Sequence, residues 1–377
     1  MTDPTSAQNV RHTTRTQVEA HIAPHATEFD RNQRVPPDVL QLIGEFGWWG
    51  AILPIARGGA GVGMEGLGVL HEEVGRGCSS VRSLLTAHTM VVSAVARWGT
   101  PEQRERWLPG LAAGSTTGAL CLTETGAGSN PAGLRTTATP RSAAGHTLHG
   151  TKRWVTGGQT AGVLLVLART PAGVTGFLVE PSHATVHVQP LTGLLGTRAA
   201  MHADISFDHT PVSPDALLGP DGFALHTVVP AALDIGRFSV ASGTTGILQA
   251  CLEASIAHTA DSPLREHQLI QQMITRMVTD TQAARLLCAR AGQLKDTDDP
   301  HHQQATWMAK YFAASAASQA AANTVQIHGA QGCSPAHSAQ RHYRDTKIME
   351  IIEGTTQLHE ITIAQDAYQY LGGTPRP

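Results

Sequence analysis

Two glycine-rich segments are the first places in this sequence where phosphate-binding chemistry is possible. They are residues 59–64 (GAGVGM) and 126–131 (GAGSNP). Backbone amides in such loops bind phosphate oxygens because glycine has no side chain to block the approach. A dinucleotide fingerprint needs a third glycine where Met64 and Pro131 stand. The chain also has no Gly-Lys-Ser/Thr step, so neither a Rossmann site nor a P-loop is predicted.

The sequence contains no motif with the residue spacing of a hydrolase or a metal site. The pairs His71-Glu72 and His359-Glu360 lack the second histidine of a zincin helix, and residues 77–81 lack the closing glycine of a nucleophile elbow. The five cysteines form no CxxC pair, which argues against a disulfide framework or a zinc site. We interpret the 20 histidines as polar surface, and no metal is predicted.

Composition limits the partners of this 377-residue chain. Lysine and arginine total 27 and acidic residues 30, a net charge of −3, so no nucleic acid is expected, since that partner needs a concentrated basic face. The N-terminus has no apolar h-region, and no apolar run approaches the roughly 18 residues of a membrane span. A cytoplasmic protein that binds no membrane is expected. Charged residues make up only 15%, so either the surface is polar but uncharged or subunits bury much of it.

Hydrophobic periodicity divides the chain into a helical, a β and a second helical part. Helical spacing of apolar residues is found in residues 36–46, 64–75 and 83–98, and in long segments after residue 222. Short β-type runs lie between, at residues 163–168, 174–180, 185–189 and 203–208. We predict a mainly α protein with a central antiparallel β domain. The predicted domains are residues 1–117 (N-terminal helical), 118–220 (middle β) and 221–377 (C-terminal helical).

Three segments, in this order, resemble the acyl-CoA dehydrogenase family of flavoenzymes. They are residues 121–130 (CLTETGAGSN), residues 152–158 (KRWVTGG), and a third group comprising residues 326–332 (QIHGAQG), 344–347 (RDTK) and 351–357 (IIEGTTQ). The resemblance implies the fold of that family, with an N-terminal helical domain, a β domain and a C-terminal four-helix bundle. It also implies FAD as cofactor, and oxidation of an acyl thioester in which a carboxylate takes the α-proton while the β-hydride passes to the flavin.

Residue roles follow from the same resemblance. Glu353 takes the position of the catalytic base, beside apolar Ile351 and Ile352, where a desolvated carboxylate would be a stronger base. The alternative for Glu353 is an acid at the start of a helix beginning at Gly354-Thr355. The substrate contacts implied are Ser129, Asp234, Arg237 and Gly354. Arg237 is equally well explained as a structural salt-bridge partner.

The cofactor contacts implied fall into two groups. Those on the flavin half are Leu122, Thr123, Gly128, Ser129, Trp154, Val155 and Thr156, although a buried strand with one aromatic residue also explains the last three. Those on the adenine and pyrophosphate half are His267, Gln268, Gln326, Gly329, Ala330, Thr355 and Gln357. In the family some of these come from a neighbouring subunit, so a homodimer or homotetramer is expected, with an electron acceptor for the reduced flavin.

The chain departs from the family pattern in ways that bear on FAD. Asn130 replaces an Asp, Gly157 an Asn, Ala330 a Gly and Cys333 an aromatic residue. The largest departure is at residues 257–261 (AHTAD), where the family has Arg-x-x-Phe-Gly, so that a cationic phosphate contact and an aromatic wall are both missing. Losing the cation should weaken FAD binding by a few kcal/mol at most, about the value of a charge-assisted hydrogen bond.

A narrower resemblance favours one branch of the family. Residues 77–83 (GCSSVRS), 196–204 (GTRAAMHAD) and 349–354 (MEIIEG) are similar to the dehydrogenases of polyketide pathways that make hydroxymalonyl or aminomalonyl extender units. These act on a short, polar acyl group on an acyl-carrier protein. The alternatives are a short-chain acyl-CoA dehydrogenase and a flavin-poor family member that acts as a binding subunit.

Overall fold

The protein is described by a computed structural model that covers residues 3–141 and 145–371. Six helices precede the sheet: α1 Ala7–His21, α2 Ala26–Asn32, α3 Pro37–Glu45, α4 Met64–Gly77, α5 Ser79–Trp98 and α6 Pro101–Ala113. The helices expected from periodicity at residues 36–46, 64–75 and 83–98 correspond to α3, α4 and α5. Thr100 caps α6 in a reciprocal capping box with Gln103, as the sequence Thr-Pro-Glu-Gln suggests.

The middle of the chain forms one eight-stranded sheet. Its strands are β1 Gly118–Cys121, β2 Thr137–Pro140, β3 His146–Val155, β4 Val163–Thr170, β5 Gly173–Val179, β6 Val186–Pro190, β7 Ala203–Val212 and β8 Leu217–Leu218. The order is β6-β7-β3-β2-β4-β5-β8, with β1 beside β4. Most pairings are antiparallel as predicted, but β1 and β2 each run parallel to β4. Both reach β4 through long connections rather than hairpin turns, which is what a parallel neighbour requires.

Five helices follow the sheet: α7 Val228–Thr259, α8 Gln268–Asp296, α9 His302–His328, α10 Ser338–Met349 and α11 Thr356–Leu371. The three long helices α7, α8 and α9 pack on one another, α10 packs on α7 and α9, and α11 packs on α9. The predicted fold class is confirmed. The exact domain limits 1–117, 118–220 and 221–377 stay a prediction, and residues 1–2, 142–144 and 372–377 of those ranges lie outside the described residues.

Helix α7 is the element on which the two helical parts meet. It packs on α4 and α5 from the first part and on α8, α9 and α10 from the second. The approach to α4 is backbone to backbone, because a Cβ at Gly246 would lie 1.9 Å from the Glu72 carbonyl oxygen. Alanines of α9 that face the core, such as Ala313 and Ala317, permit a similarly close approach there. Among the described residues, no helix combines the length and apolar character that a bilayer span requires.

A buried ion pair ties the start of the sheet to β3. The Nζ of Lys152 lies 2.6 Å from the Oε1 of Glu124, and the two side chains are 0% and 7% exposed. Burial lowers the pKa of Lys152, while Glu124 opposes that shift. The Glu124 carboxylate also accepts the backbone amides of Arg135 and Thr136 at 2.6 and 3.0 Å. One carboxylate therefore fixes both sides of the glycine-rich loop that follows β1.

We predict that Lys152→Met destabilises the protein by about 3 kcal/mol, because it leaves the buried Glu124 carboxylate without its cation. Urea denaturation followed by circular dichroism measures this change. Lys347→Met is the matched control, since Lys347 forms a surface pair with Glu350 and is 58% exposed. That control should change the free energy of unfolding by less than about 0.5 kcal/mol. Equal effects of the two variants would contradict the prediction.

Candidate active site

Glu353 lies in the loop between α10 and α11, and the fold holds the backbone of this loop from two sides. Its φ of +58° lies in the left-handed region, which is rare for a residue with a side chain. The Nε of Arg237 on α7 donates to the Glu353 carbonyl at 3.1 Å, and the Nζ of Lys310 on α9 donates to the Gly354 carbonyl at 2.6 Å. Glu353 precedes α11, which begins at Thr356, and so does not occupy the first turn of a helix.

The carboxylate of Glu353 is desolvated, and within residues 3–141 and 145–371 it forms no salt bridge. The residue is partly exposed as a whole, but its Oε2 is buried and has no hydrogen-bond partner among the described residues. Burial raises the pKa of Glu353 to about 7, and the nearby charges of Arg237, Lys310 and Arg82 oppose this rise. A carboxylate that titrates near neutral pH is a stronger base than an ordinary exposed glutamate. The geometry therefore suits proton abstraction.

The space for this carboxylate is provided by a glycine on α7. A Cβ added to Gly236 would lie 2.3 Å from the Oε2 of Glu353 and 2.6 Å from its Cδ. No real side chain tolerates such a separation. The Glu353 carboxylate therefore lies against the backbone of α7, next to Arg237, which donates to the Glu353 carbonyl.

The β domain brings two of the residues predicted on the flavin half, Leu122 and Thr123, beside the strand that leads to Trp154 and Val155. The backbone amide of Arg153 donates to the Thr123 carbonyl at 2.8 Å, and the Nζ of Lys152 donates to the Leu122 carbonyl at 3.2 Å. These contacts place the end of β1 beside the end of β3. Trp154 has a φ of +54° and is 46% exposed, so it is not the aromatic residue of a buried strand. Its neighbour Val155 is buried.

A hydrogen-bonded chain links β3 to α10. The Oγ1 of Thr156 lies 3.4 Å from the Nδ1 of His202, and the Nε2 of His202 lies 3.2 Å from the Thr197 carbonyl. The backbone amide of Thr197 donates to Asp345 on α10 at 2.6 Å. Thr197 also has a positive φ, of +48°. The second and third family-like segments are thus joined by buried polar contacts, and α10 leads directly to the loop of Glu353.

The other predicted cofactor residues are placed at the surface of the single chain. Gly128 and Ser129 are exposed, and a Cβ at Gly128 would meet nothing within 4 Å. His267 and Gln268, at the start of α8, are exposed, as are Gln326, Gly329 and Ala330 at the end of α9. Thr355 and Gln357 lie at the start of α11, where the Oγ1 of Thr355 accepts the amide of Leu358 at 3.3 Å.

Asp234 has a different partner from the one its predicted role suggests. Its carboxylate pairs with the Nζ of Lys295 on α8, and the Nδ1 of His302 lies 3.4 Å away. Asp234 is two positions before Gly236 on α7, so its side chain points to another side of the helix. Arg237, in contrast, contacts the Glu353 loop directly, so of the two it is the one that the structure brings to Glu353. A role for Asp234 toward substrate stays a prediction.

Two surface clefts and one cluster of possible metal ligands lie away from Glu353. Clefts of about 630 and 300 Å³ lie near α3 and near the end of β5, respectively. The ligand atoms of His149, Asp208 and His209 lie within 4.8 Å of one another on the exposed surface of the sheet. None of these features includes Glu353 or a residue that contacts it. The expectation that the protein holds no metal stays a prediction.

Three models of one protein family match this chain over most of its length. Family models for the acyl-CoA dehydrogenase N-terminal, middle and C-terminal domains match residues 4–115, 119–210 and 226–368. The chain is 31% identical over 372 residues to the mitochondrial short-chain specific acyl-CoA dehydrogenase of Bos taurus, covering 96% of this chain and 90% of that protein.

The chain belongs to the acyl-CoA dehydrogenase family. It is therefore an oxidoreductase that carries out acyl-CoA dehydrogenase-type oxidation of acyl thioesters, and its family is FAD-dependent.

Two solved structures are similar over nearly the full length. One is glutaryl-CoA dehydrogenase from Mycobacterium smegmatis in complex with FADH2, with a TM-score of 0.90, 28% identity, and coverage of 98% of this chain and 95% of the other. The second is FkbI, described as acting in biosynthesis of the methoxymalonyl extender unit of the Fk520 polyketide. Its TM-score is 0.88 with 32% identity, covering 96% of this chain and 99% of the other.

Several buried charged and polar residues of this region were not predicted from the sequence. Arg82 and Lys310 lie near the Glu353 carboxylate, and His71 and Ser239 contact each other beside Thr86. All four are buried. Lys310 had a signal that was available, since it is one cation within the alanine-rich helix α9, on the stripe that packs against the core. Burial lowers the pKa of Lys310 to about 8, and the charge of Glu353 opposes this shift.

We predict that Gly236→Ala reduces the rate of flavin reduction by substrate about 100-fold or more, because the new Cβ displaces the Glu353 carboxylate from its position. Anaerobic stopped-flow spectroscopy measures the rate, and the visible spectrum reports FAD content. Gly176→Ala on β5 is the control, because its Cβ would meet no atom closer than 3.4 Å. A wild-type rate in Gly236→Ala would show that this glycine does not position the base.

Proposed function

We propose that this chain is an FAD-dependent dehydrogenase that oxidises a short, polar acyl group carried as a thioester on an acyl-carrier protein. Its setting would be polyketide extender-unit formation or other secondary-metabolite biosynthesis. The observation that carries the catalytic part is the Glu353 carboxylate, desolvated against Gly236 and surrounded by cations. The substrate class rests on the three segments that resemble polyketide-pathway dehydrogenases and on the similarity to FkbI.

Contacts within the protein support the idea that those three segments serve one site. The Oγ of Ser80, in the first segment, accepts the amide of Ala199 in the second at 3.2 Å. In the third segment, the Sδ of Met349 accepts from Arg82 of the first at 3.0 Å. Segments that are far apart in sequence are thus packed together beside the Glu353 loop.

The residues present fit the flavin half of FAD better than its diphosphate half. A planar ring could pack on the exposed indole of Trp154, near Leu122 and Thr123, whose carbonyls accept hydrogen bonds from Lys152 and Arg153. The open loop at Gly128 is suited to a phosphate. Ala257 and Ala260 are exposed where the family has the Arg and Phe of its motif. We therefore propose non-covalent FAD binding that is weaker on the adenine side.

The chain's own groups carry the proton chemistry. When bound, FAD supplies the two-electron acceptor for the hydride that leaves the substrate. The Glu353 carboxylate accepts the proton, from the α-carbon or from a hydroxyl of the acyl group, so that one proton and one hydride leave together and balance the oxidation. Arg237 and Lys310 hold the carbonyls of residues 353 and 354 and so fix the backbone of this loop, whose Glu353 amide is proposed to donate to the thioester carbonyl. Gly354 and Ser129 are proposed to line the path of the thioester arm.

Assembly into a homodimer or homotetramer is part of the same proposal. Exposed apolar side chains on α8, such as Leu269 at 72% and Leu286 at 70%, are the kind of surface that a second subunit covers. His267 and Gln268 lie at the start of this helix, and we propose that they reach the adenine half of a neighbouring subunit's FAD. The reduced flavin then needs a separate electron acceptor. Short-chain acyl-CoA dehydrogenase activity is the second candidate, supported by the 31% identity to the bovine enzyme.

We predict that Glu353→Gln retains FAD but lowers the rate of flavin reduction by about 10²–10⁴-fold, because an amide cannot accept the proton. In the wild-type protein the rate should rise with pH through about 7, as the base loses its proton. Rapid-mixing experiments between pH 5.5 and 9 measure both effects. A near-normal rate in the variant would place the base elsewhere.

The same variant should change stability with a definite sign. Because the folded pKa of Glu353 is about 7 and the reference value is 4.5, the wild type loses stability as pH rises through that window. Glu353→Gln should therefore be more stable than wild type by on the order of 2 kcal/mol at pH 8, with little difference at pH 4. Thermal melts at both pH values test this.

We predict that a short polar C3 acyl group on a carrier protein reduces the flavin faster than butyryl-CoA does. Flavin bleaching under anaerobic conditions would compare glyceryl-, seryl- and 3-oxo-2-hydroxypropionyl-carrier protein with butyryl-CoA and with the same C3 groups on CoA. Bleaching by a carrier-bound C3 group supports the proposal. Rapid bleaching by butyryl-CoA and none by any carrier-bound C3 group would instead establish the short-chain acyl-CoA dehydrogenase.

A further inference from the structure

Arg82 on α5 is a buried cation that no carboxylate neutralises directly. The residue is 1% exposed, and within the described part of the chain it forms no salt bridge. Its terminal nitrogens donate to the Oγ1 of Thr86 at 3.1 Å, the Oγ of Ser79 at 3.4 Å and the Sδ of Met349 at 3.0 Å. Its Nε is buried with no acceptor. A guanidinium has five N–H donors, so this one is poorly satisfied.

Burying the Arg82 guanidinium without a paired carboxylate costs folding free energy, so its presence calls for an explanation. Desolvation lowers the pKa of Arg82 to about 10, while Asp345 and Glu353 oppose the shift, so the side chain stays protonated at neutral pH. A buried charge without a paired partner is strongly destabilising. The buried carboxylate of Asp345, whose charge acts on Arg82, accepts the amide of Thr197 instead. A purely structural account leaves the unpaired charge of Arg82 unexplained.

The position of Arg82 relative to the base supplies an explanation. Gly236, Ser239 and Gly243 are spaced three and four residues apart and therefore share one face of α7. Glu353 is seated over Gly236, and a Cβ at Gly243 would lie 2.6 Å from the Cδ of Arg82. Base and guanidinium thus occupy the same face, separated by seven residues, or about 10 Å along the helix.

The stretch between the two charges is polar. The Oγ1 of Thr86 lies 2.5 Å from the Oγ of Ser239, which in turn lies 3.0 Å from the Nδ1 of His71. Burial and the charge of Arg82 lower the pKa of His71 to about 3, so the imidazole is neutral and adds no second cation. A saturated hydrocarbon chain placed here would leave the Nε of Arg82 without an acceptor and its charge without a counter-charge. An oxygen-bearing chain would supply an acceptor to this guanidinium.

We propose that Arg82 binds the oxygen-bearing end of the acyl group, a hydroxyl, hydrated aldehyde or carboxylate at C3, and thereby selects short polar acyl thioesters over alkyl ones. This inference rests on the proposed function, since it names the residue that recognises the proposed substrate class. Thr86 and Ser239 orient the guanidinium and the acyl group from one side, and Glu353 takes the proton at the other end. Arg82 is thus a specificity-determining residue for the same reaction.

The decisive variant is Arg82→Met, which keeps an unbranched side chain but removes charge and donors. Its matched control is Arg341→Met, because Arg341 is also buried and lies on α10, but it contacts the Gly77 carbonyl and is not among the charges that shift the Glu353 pKa. For each FAD-loaded protein, kcat/KM for flavin reduction would be measured with 3-oxo-2-hydroxypropionyl- and butyryl-carrier protein. Binding of malonyl-carrier protein, followed by the change in flavin absorption, gives a readout independent of turnover.

We expect Arg82→Met to lower the ratio of polar to butyryl kcat/KM by about 100-fold or more and to weaken malonyl-carrier protein binding, while Arg341→Met leaves both near wild type. If Arg82→Met does not fold, Arg82→Lys decides, since it keeps the charge but not the fork geometry and should lower the ratio about tenfold. An unchanged ratio, in a wild type that does turn over the carrier-bound C3 group, overturns the inference and leaves the proposed function intact. A wild type that turns over no carrier-bound C3 group overturns both.

Discussion

The close packing of α7 against its neighbours is the constraint on which the rest of this structure depends. Glycines on this helix admit the backbone of α4 at Gly246, the side chain of Arg82 at Gly243 and the carboxylate of Glu353 at Gly236. Each of these groups would collide with a Cβ. The helix therefore serves as a common reference surface, and parts of the chain that are far apart in sequence obtain fixed positions relative to one another by packing on it. The chemistry of the site follows from that packing.

Electrostatic balance at the site is the second consequence. Glu353 is near Arg237, Lys310 and Arg82, yet its pKa is raised, because desolvation outweighs three opposing charges. Two of those cations hold backbone carbonyls rather than the carboxylate itself. They fix the loop without forming the salt bridge that would make Glu353 a weak base. The ionised Glu353 carboxylate therefore lowers the stability of the folded protein above neutral pH, but the same desolvation makes it a better proton acceptor.

The sequence was informative wherever the signal was local. Apolar periodicity predicts α3, α4 and α5, Thr100 predicts the start of α6, and alternating residues predict β7. The family-like segments single out Glu353, Trp154 and Thr156 because their residue types and order are distinctive. Charged residues that become buried carry a weaker signal or none. Lys310 stands among the alanines of α9, whereas Arg82 looks like an ordinary surface cation in the sequence. Only the helix packing shows that both lie near the Glu353 carboxylate. The pairing of Asp234 with Lys295 joins residues 61 positions apart and is equally invisible in a linear pattern.

Similarity of fold and difference of substrate are compatible in this family because they depend on different residues. The TM-scores of 0.90 and 0.88 compare backbones of proteins described with unlike substrates, glutaryl-CoA and an extender-unit pathway. The backbone fixes where a base and a planar cofactor can meet. The surroundings of the α7 face beyond Glu353 are set by a few side chains on α4 and α5. In this chain those side chains are His71, Arg82 and Thr86, all buried and all polar. A site that ends in hydrogen-bonding groups discriminates more strongly than one that ends in an apolar pocket, because a substrate lacking the matching oxygen leaves them unpaired. If Arg82 binds the polar end of the acyl group as proposed, selectivity depends on these three side chains, while the fold is common to the family.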